Sequence, residues 1–188
     1  MKWQADPAHT AVTFQVRHMG TFIVAGNFAT ITGGVDTTAD YFPQRIQIEI
    51  EANSIQTGND ARNAHLLSGD FFDAEKNPKL SFQSSDISLK PVAFSLASLF
   101  GAKKAVTYVA KGDLTMRGVS HPVELEFEIP SVPFEDPWQA KRIGARGNTV
   151  IDRTKWGINW NQNVASVGML LVSNEVRIGF NSQFTLVK

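Results

Sequence analysis

The chain contains no cysteine. That excludes a disulfide-stapled scaffold, a zinc ribbon, an iron–sulfur protein and a thiol nucleophile, while leaving the redox compartment open. It also lacks an excess of either charge: 18 Lys and Arg stand against 18 Asp and Glu. A general nucleic-acid binder needs a surplus of cations to displace counterions, so nucleic acid is not an expected partner. No apolar run approaches the ~20 residues of a membrane-spanning helix, and no transmembrane segment is expected. Like-charge blocks and low-complexity tracts are missing too, and 43% of residues are hydrophobic, which argues against a disordered chain. The start, Met1-Lys2-Trp3-Gln4-Ala5-Asp6-Pro7, has no apolar centre of the signal-peptide kind. The sequence as given therefore reads as cytoplasmic, with a periplasmic location expected if a signal peptide has been removed.

Catalytic signatures are absent as well. There is no G-x-S-x-G, no phosphate-cradling P-loop and no dinucleotide fingerprint. His9, His18, His65 and His121 include no pair at zinc-ligand spacing on one helix, so no metal and no cofactor are expected. A metal site assembled from distant strands is the one arrangement that spacing leaves open. Tyr is scarce at 2 residues and Trp at 4, whereas Phe reaches 13. Phe has no polar handle, so this bias implies a very apolar core or an apolar cavity. At 188 residues and about one domain per ~150, the reading is a single domain spanning 1–188. A domain of this size buries about 70% of its unfolded surface, enough for a core without staples.

The dominant hydrophobic period is two. Val12, Phe14, Val16 and His18 alternate with Thr13, Gln15 and Arg17. Ile46, Ile48, Ile50 and Ala52 alternate with Arg45, Gln47, Glu49 and Glu51. Val123, Leu125, Phe127 and Ile129 alternate with three glutamates, and Val176, Ile178, Phe180 and Phe184 continue the pattern near the end. Each is a strand with one dry face and one wet face. Less regular strand patterns cover 22–31, 80–89, 106–116 and 143–152. Turn chemistry is read at Gly33-Gly34, Phe42-Pro43, Gly118 to Pro122 and Asp136-Pro137. About eight antiparallel strands with one apolar face must close into a barrel or pair into a sandwich. A barrel of that size has room for packed side chains or for one ligand.

Residues 57–78 break the pattern. Thr57 with Asp60 reads as a helix-capping pair, Ala61 to Leu67 as a short helix, and Ser68-Gly69-Asp70 as its stop. Arg62 and His65, three residues apart, share a helix face. With Asp60 near, they suit a solvated cap, contact with an anion or head group, or acid–base chemistry. His18, at the end of its strand, suits either a barrel rim or a ligand head group. Phe71 and Phe72 point about 100° apart on a turn, so one is expected in the core and the other at a cavity mouth. Trp156 and Trp160 suit core packing or a pocket wall. Asp152-Arg153 reads as a structural pair. The apolar 91–105 segment, with Val92, Phe94, Leu96, Leu99 and Phe100, suits a lid, a partner surface or a local cluster.

Several segments together resemble the YceI-like family. They are Trp3-x-x-Asp6-Pro7-x-His9-Thr10-x-Val12-x-Phe14-x-Val16-x-His18, then Gly26-Asn27-Phe28. The most specific is Ser54-Ile55-x-Thr57-x-x-x-x-Arg62-x-x-His65-Leu66-x-Ser68-x-Asp70-Phe71-Phe72-Asp73, followed by Pro78-x-Leu80-x-Phe82-x-Ser84. Gly112 to Val123 and Asp152-Arg153-x-x-Trp156-Gly157 complete the series. The resemblance implies an all-β fold, an extended antiparallel lipocalin-like β-barrel with a short helical insertion. It also implies an apolar tunnel for a polyprenyl compound, an isoprenoid quinone such as ubiquinone, or another long-chain lipid, without enzymatic activity. The chain departs from the family pattern at Asn63, where Asp is usual, and in the length of the 91–105 segment.

On that reading the expected wall residues are Phe14, Val16, Phe28, Ile48, Ile50, Phe82, Leu114, Phe127, Trp156 and Phe180. Arg62, His65 and His18 are the head-group candidates. The expected function is non-enzymatic binding of an isoprenoid lipid as carrier, buffer or sensor. Alternatives are an enzyme acting on a lipid or quinone through His65, and an interaction module docking through 91–105. A homodimer would hide that apolar segment.

Overall fold

A computed structural model describes residues 1–90, 106–129, 133–164 and 169–187. The strands are β1 (Lys2–His18), β2 (Phe22–Phe28), β3 (Ile31–Thr37), β4 (Pro43–Glu51) and β5 (Ile55–Gln56), followed by helix α1 (Asp60–Leu67). Then come β6 (Lys79–Leu89), β7 (Thr107–Met116), β8 (Val119–Glu128), β9 (Phe134–Glu135), β10 (Lys141–Asp152), β11 (Asn163–Val164), β12 (Met169–Leu170) and β13 (Val172–Leu186).

Eight strands form a closed antiparallel ring in the order β1, β3, β4, β6, β7, β8, β10, β13 and back to β1. The closing β13–β1 ladder decides for a barrel and against a sandwich. Its register pairs Val12 with Phe180, Phe14 with Ile178 and Val16 with Val176. The period-two residues of two strands far apart in sequence thus meet on one inward face, as a one-residue slip would forbid. Across the barrel, Ile48 pairs with Phe82, and Phe82 with Leu114. β1 is long enough to serve two neighbours: its first residues pair with β3 and its last seven with β2.

Two turn assignments differ from the sequence reading. Gly33-Gly34 is not a turn but lies inside β3. A side chain at Gly33 would meet the Gln47 carbonyl and one at Gly34 the Trp3 carbonyl. Gly33 also holds φ +114°, so the pair is glycine because neighbouring backbones approach too closely for anything larger. The β7–β8 connection is only Arg117-Gly118, with φ 51° and 72°, the double positive of a tight hairpin. Pro122 therefore stands inside β8. It is tolerated because the β8–β10 ladder runs only from Glu126 to Glu128, leaving the flank beside Pro122 without a strand to receive an N–H.

The helix cap lies two residues later than expected. Asn59, not Thr57, is the N-cap, its side chain accepting from the Arg62 backbone N–H at 2.9 Å. Ser68 closes the helix, its N–H donating to the His65 carbonyl. The 91–105 segment, and with it the lid, partner-surface and dimer readings, lies outside the described residues.

The ring has two unlike ends. At one, Trp3, Val35, Ile46, Ile87, Ala110, Phe127, Ile143 and Phe184 form a packed cluster. At the other, Phe28, Ile55, Leu80, Met116, Ile151 and Trp156 pack under α1 and the Phe71–Phe72 turn. We call these the Trp3 end and the helix end.

Candidate ligand-binding cavity

Between the two clusters runs a cavity of about 360 Å³, within the usual size range of small-ligand sites. Its wall is almost wholly apolar and draws on every strand of the ring. Twelve of the thirteen residues singled out from the sequence line it: Phe14, Val16, His18, Phe28, Ile48, Ile50, Arg62, His65, Phe82, Leu114, Phe127 and Phe180. Trp156 does not. It is 2% exposed, its indole N–H donates to the Leu114 carbonyl at 2.9 Å, and it packs behind the wall. Trp160 takes the cavity-facing place instead. Period two could not separate these two indoles, because Arg153–Trp156 is a 3₁₀ turn with its own periodicity.

At the helix end, residues with polar side chains border the apolar wall. Arg62 reaches back along the chain, its Nε donating to the Thr57 hydroxyl at 2.9 Å and an Nη to the Thr57 carbonyl at 2.7 Å. Asn63 Oδ1 accepts from the Thr57 N–H and hydroxyl. Thr57 and Asn63 are therefore the staple that aims Arg62, and the Asn63 departure keeps an acceptor where the staple needs one. His65 makes edge contacts with Phe71 and Trp160, with centroids 5.0 and 4.8 Å away. Its Nε2 lies 2.9 Å from Asp70 Oδ2, so its carboxylate partner is Asp70, not Asp60. Phe71 and Phe72 both face the cavity. Phe72 meets Phe28, which meets Phe14, carrying the aromatic wall from β1 up to the turn.

Two arginines outside the expected site organise this end. Arg117, in the β7–β8 hairpin, donates to the Phe71 and Gly157 carbonyls at 2.9 and 3.2 Å. Arg153 is 4% exposed and lines the cavity. Its guanidinium donates to the carbonyls of Ser173, Ile158, Trp160 and Val172 and to Asn174 Oδ1. Burial pushes its pKa below the ordinary value, against the opposing field of Asp152. Asp152 itself is turned away, capping the 3₁₀ turn through the Thr154 N–H and hydroxyl. The pair read from sequence is thus two separate devices. The only available sequence signal, the adjacency of the two charges, pointed to the wrong partner. His18 joins this end through its register pair Val172, the carbonyl of which Arg153 also uses.

Among the described residues, no group of three or more His, Asp or Glu is arranged to hold a metal. No helix among the described residues is long and apolar enough to cross a membrane.

Fold and cavity together define a closed antiparallel barrel with an apolar interior and a polar rim at one end. The YceI-like domain family model matches residues 3–184, and the chain belongs to that family. It is 27% identical over 183 residues to the UPF0312 protein SAB2563 of Staphylococcus aureus (strain bovine RF122 / ET3-1), covering 96% of this chain and 95% of the relative. In structure it is similar to BcnA of Burkholderia cenocepacia, with TM-score 0.70 at 20% identity, over 95% of this chain and 98% of that one. It is also similar to a polyisoprenoid binding domain from Saccharophagus degradans, with TM-score 0.65 at 17% identity, over 99% and 98% of the two chains.

Proposed function

We propose that this protein binds a long-chain isoprenoid lipid, a polyprenyl compound or an isoprenoid quinone, inside the barrel, as carrier, buffer or sensor and without transforming it. The observation that carries this reading is the cavity itself, lined by inward-facing side chains that could have been larger and filled it. Burying an apolar chain there contributes about 0.8 kcal/mol per methylene. A stiff, methyl-branched chain loses little conformational entropy on entering a preformed channel. Family membership and the binding described for the Saccharophagus degradans domain support the same reading. The His65–Asp70 pair favours the enzymatic alternative. Against it, Asp70 is more than half exposed and is not part of the cavity wall, so the pair sits at the rim rather than over buried substrate.

The test is organic extraction of the purified protein with mass spectrometry of the extract, beside native mass spectrometry of the intact chain. One isoprenoid per protein is the expected result. A protein that is empty and takes up no added isoprenoid would exclude the reading. Turnover of an isoprenoid or quinone that is lost in His65→Ala would exclude the non-enzymatic part of it.

A further inference from the structure

Two arginines, Arg62 and Arg153, and two histidines, His18 and His65, are among the residues bordering the cavity, and no Asp or Glu is. Neither arginine forms an ion pair with any side-chain carboxylate among the described residues. The undescribed segments 91–105, 130–132 and 165–168 and residue 188 contain no Asp or Glu, so they supply none either.

All four groups gather at the helix end. Arg62 and His65 are on one face of α1. His65 touches Phe71 and Trp160. Arg153 stacks 6.0 Å from the Phe71 ring centre and donates to the Trp160 carbonyl at 3.0 Å. His18 is in register with Val172, another Arg153 acceptor.

The two arginines differ in what they have left to offer. All five Arg153 contacts go to neutral oxygens, which saturate its five N–H groups, and the carboxylate of neighbouring Asp152 acts on it only through space. Arg62 spends two N–H groups on Thr57, so three of the five remain. One cation supplies field and the other supplies donors. In a low-dielectric wall a positive field is screened less than in water, and an anion entering it gains more than it would at the surface. Charge-assisted bonds to a guanidinium are roughly twice as strong as neutral ones.

We infer that the ligand of this cavity carries an anionic head group, a terminal phosphate or carboxylate on its apolar chain, seated at the helix end against Arg62 in the field of Arg153. This rests on the lipid-cavity reading above and narrows it, because a neutral quinone or alcohol would leave both arginines without an ion-pair partner.

The experiment is titration calorimetry of the whole chain with geranylgeranyl monophosphate and with geranylgeraniol, presented in the same detergent, with inorganic phosphate as competitor. The prenyl phosphate is expected to bind about tenfold or more tightly than the alcohol. Arg62→Gln should reduce that ratio severalfold and Arg62→Lys should keep most of it. Inorganic phosphate at millimolar concentration should not displace the lipid. Equal affinity for phosphate and alcohol would overturn the inference while leaving the lipid-cavity reading intact. A ratio unchanged in Arg62→Gln would overturn the role of Arg62. Displacement by inorganic phosphate would make this a free-anion site. Failure of both lipids to bind would remove the lipid-cavity reading, and this inference with it.

Discussion

The two ends of the barrel treat positive charge in opposite ways. At the Trp3 end, Arg142 is set between two carboxylates, bonding Asp6 through Nη1 and Asp136 through Nε. The three side chains are each 14% exposed or less. Asp6 reaches this position because residues 6–9 bulge out of the β1–β13 ladder, where Ala5 pairs with Phe184 and Thr10 with Ser182. Beneath the triad, Trp3 donates its indole N–H to the buried Thr37 hydroxyl at 3.0 Å. This end is a plug: cations and anions neutralise each other, and the polar atoms find partners inside the protein. At the helix end, Arg62 and Arg153 find only neutral acceptors. A fold that pairs charge where it needs closure and leaves it without an ion-pair partner beside the cavity separates stability from binding along one axis.

The contrast can be broken most forcefully at the plug. Trp3→Ala should cost about 3–5 kcal/mol, by analogy with other buried large-to-small changes, and lower the melting temperature by roughly 10 °C in calorimetry. Arg142→Met should lower the urea unfolding midpoint, since it leaves Asp6 and Asp136 without the cation they share.

The plug also sets a pH dependence. Hydrogen bonding to Arg142, helped by His9, lowers the Asp6 pKa from 3.8 to about 2, and Arg142 is the main cause of the lowered value at Asp136. The unfolded chain takes up these protons at higher pH than the folded one. Stability is therefore full above pH ~4 and falls as the pH drops through 2. Urea midpoints measured from pH 5 to pH 2 should show this fall, and Arg142→Met should flatten most of it. Asp152, lowered chiefly by the Thr154 hydroxyl, keeps a remainder.

Smaller effects sharpen the other side. Arg153→Met should cost only about 1–2 kcal/mol in the empty protein, because the lost hydrogen bonds are offset by removal of a buried charge. The same substitution should reduce the thermal shift produced by bound prenyl phosphate. Ile48→Phe, directed into the cavity, should change stability by less than ~1 kcal/mol, while reducing lipid occupancy in native mass spectrometry. A large stability loss would show that this part of the barrel is packed rather than open.

Legibility from sequence followed local periodicity. The inward faces of β1, β4, β8 and β13 were readable because side chains alternate strictly along a strand and one face is dry. The wall residues on those strands followed at once. Glycine was harder. Gly33-Gly34 looks like a turn in one dimension and is a close crossing of backbones in three. The helix cap was misplaced by two residues because Thr57 and Asn59 are both good caps, and only the Arg62 and Asn63 contacts show that Thr57 is occupied elsewhere. Trp156 and Trp160 could not be told apart, since Trp156 ends a 3₁₀ turn and Trp160 follows in irregular chain, where strand alternation no longer specifies which way an indole points.

By itself, the sequence determined that the chain makes antiparallel strands with a continuous apolar face, and that its interior is rich in phenylalanine. Those properties are local, written in alternation and composition. Ring closure, the void along the axis and the sorting of charge between the two ends were decided only by the tertiary structure. Arg142 meets Asp6 across 136 positions of sequence, while Arg153 turns away from the acid beside it to bond carbonyls. Which cation is neutralised depends on distances in the folded barrel, and Coulomb attraction is blind to order along the chain.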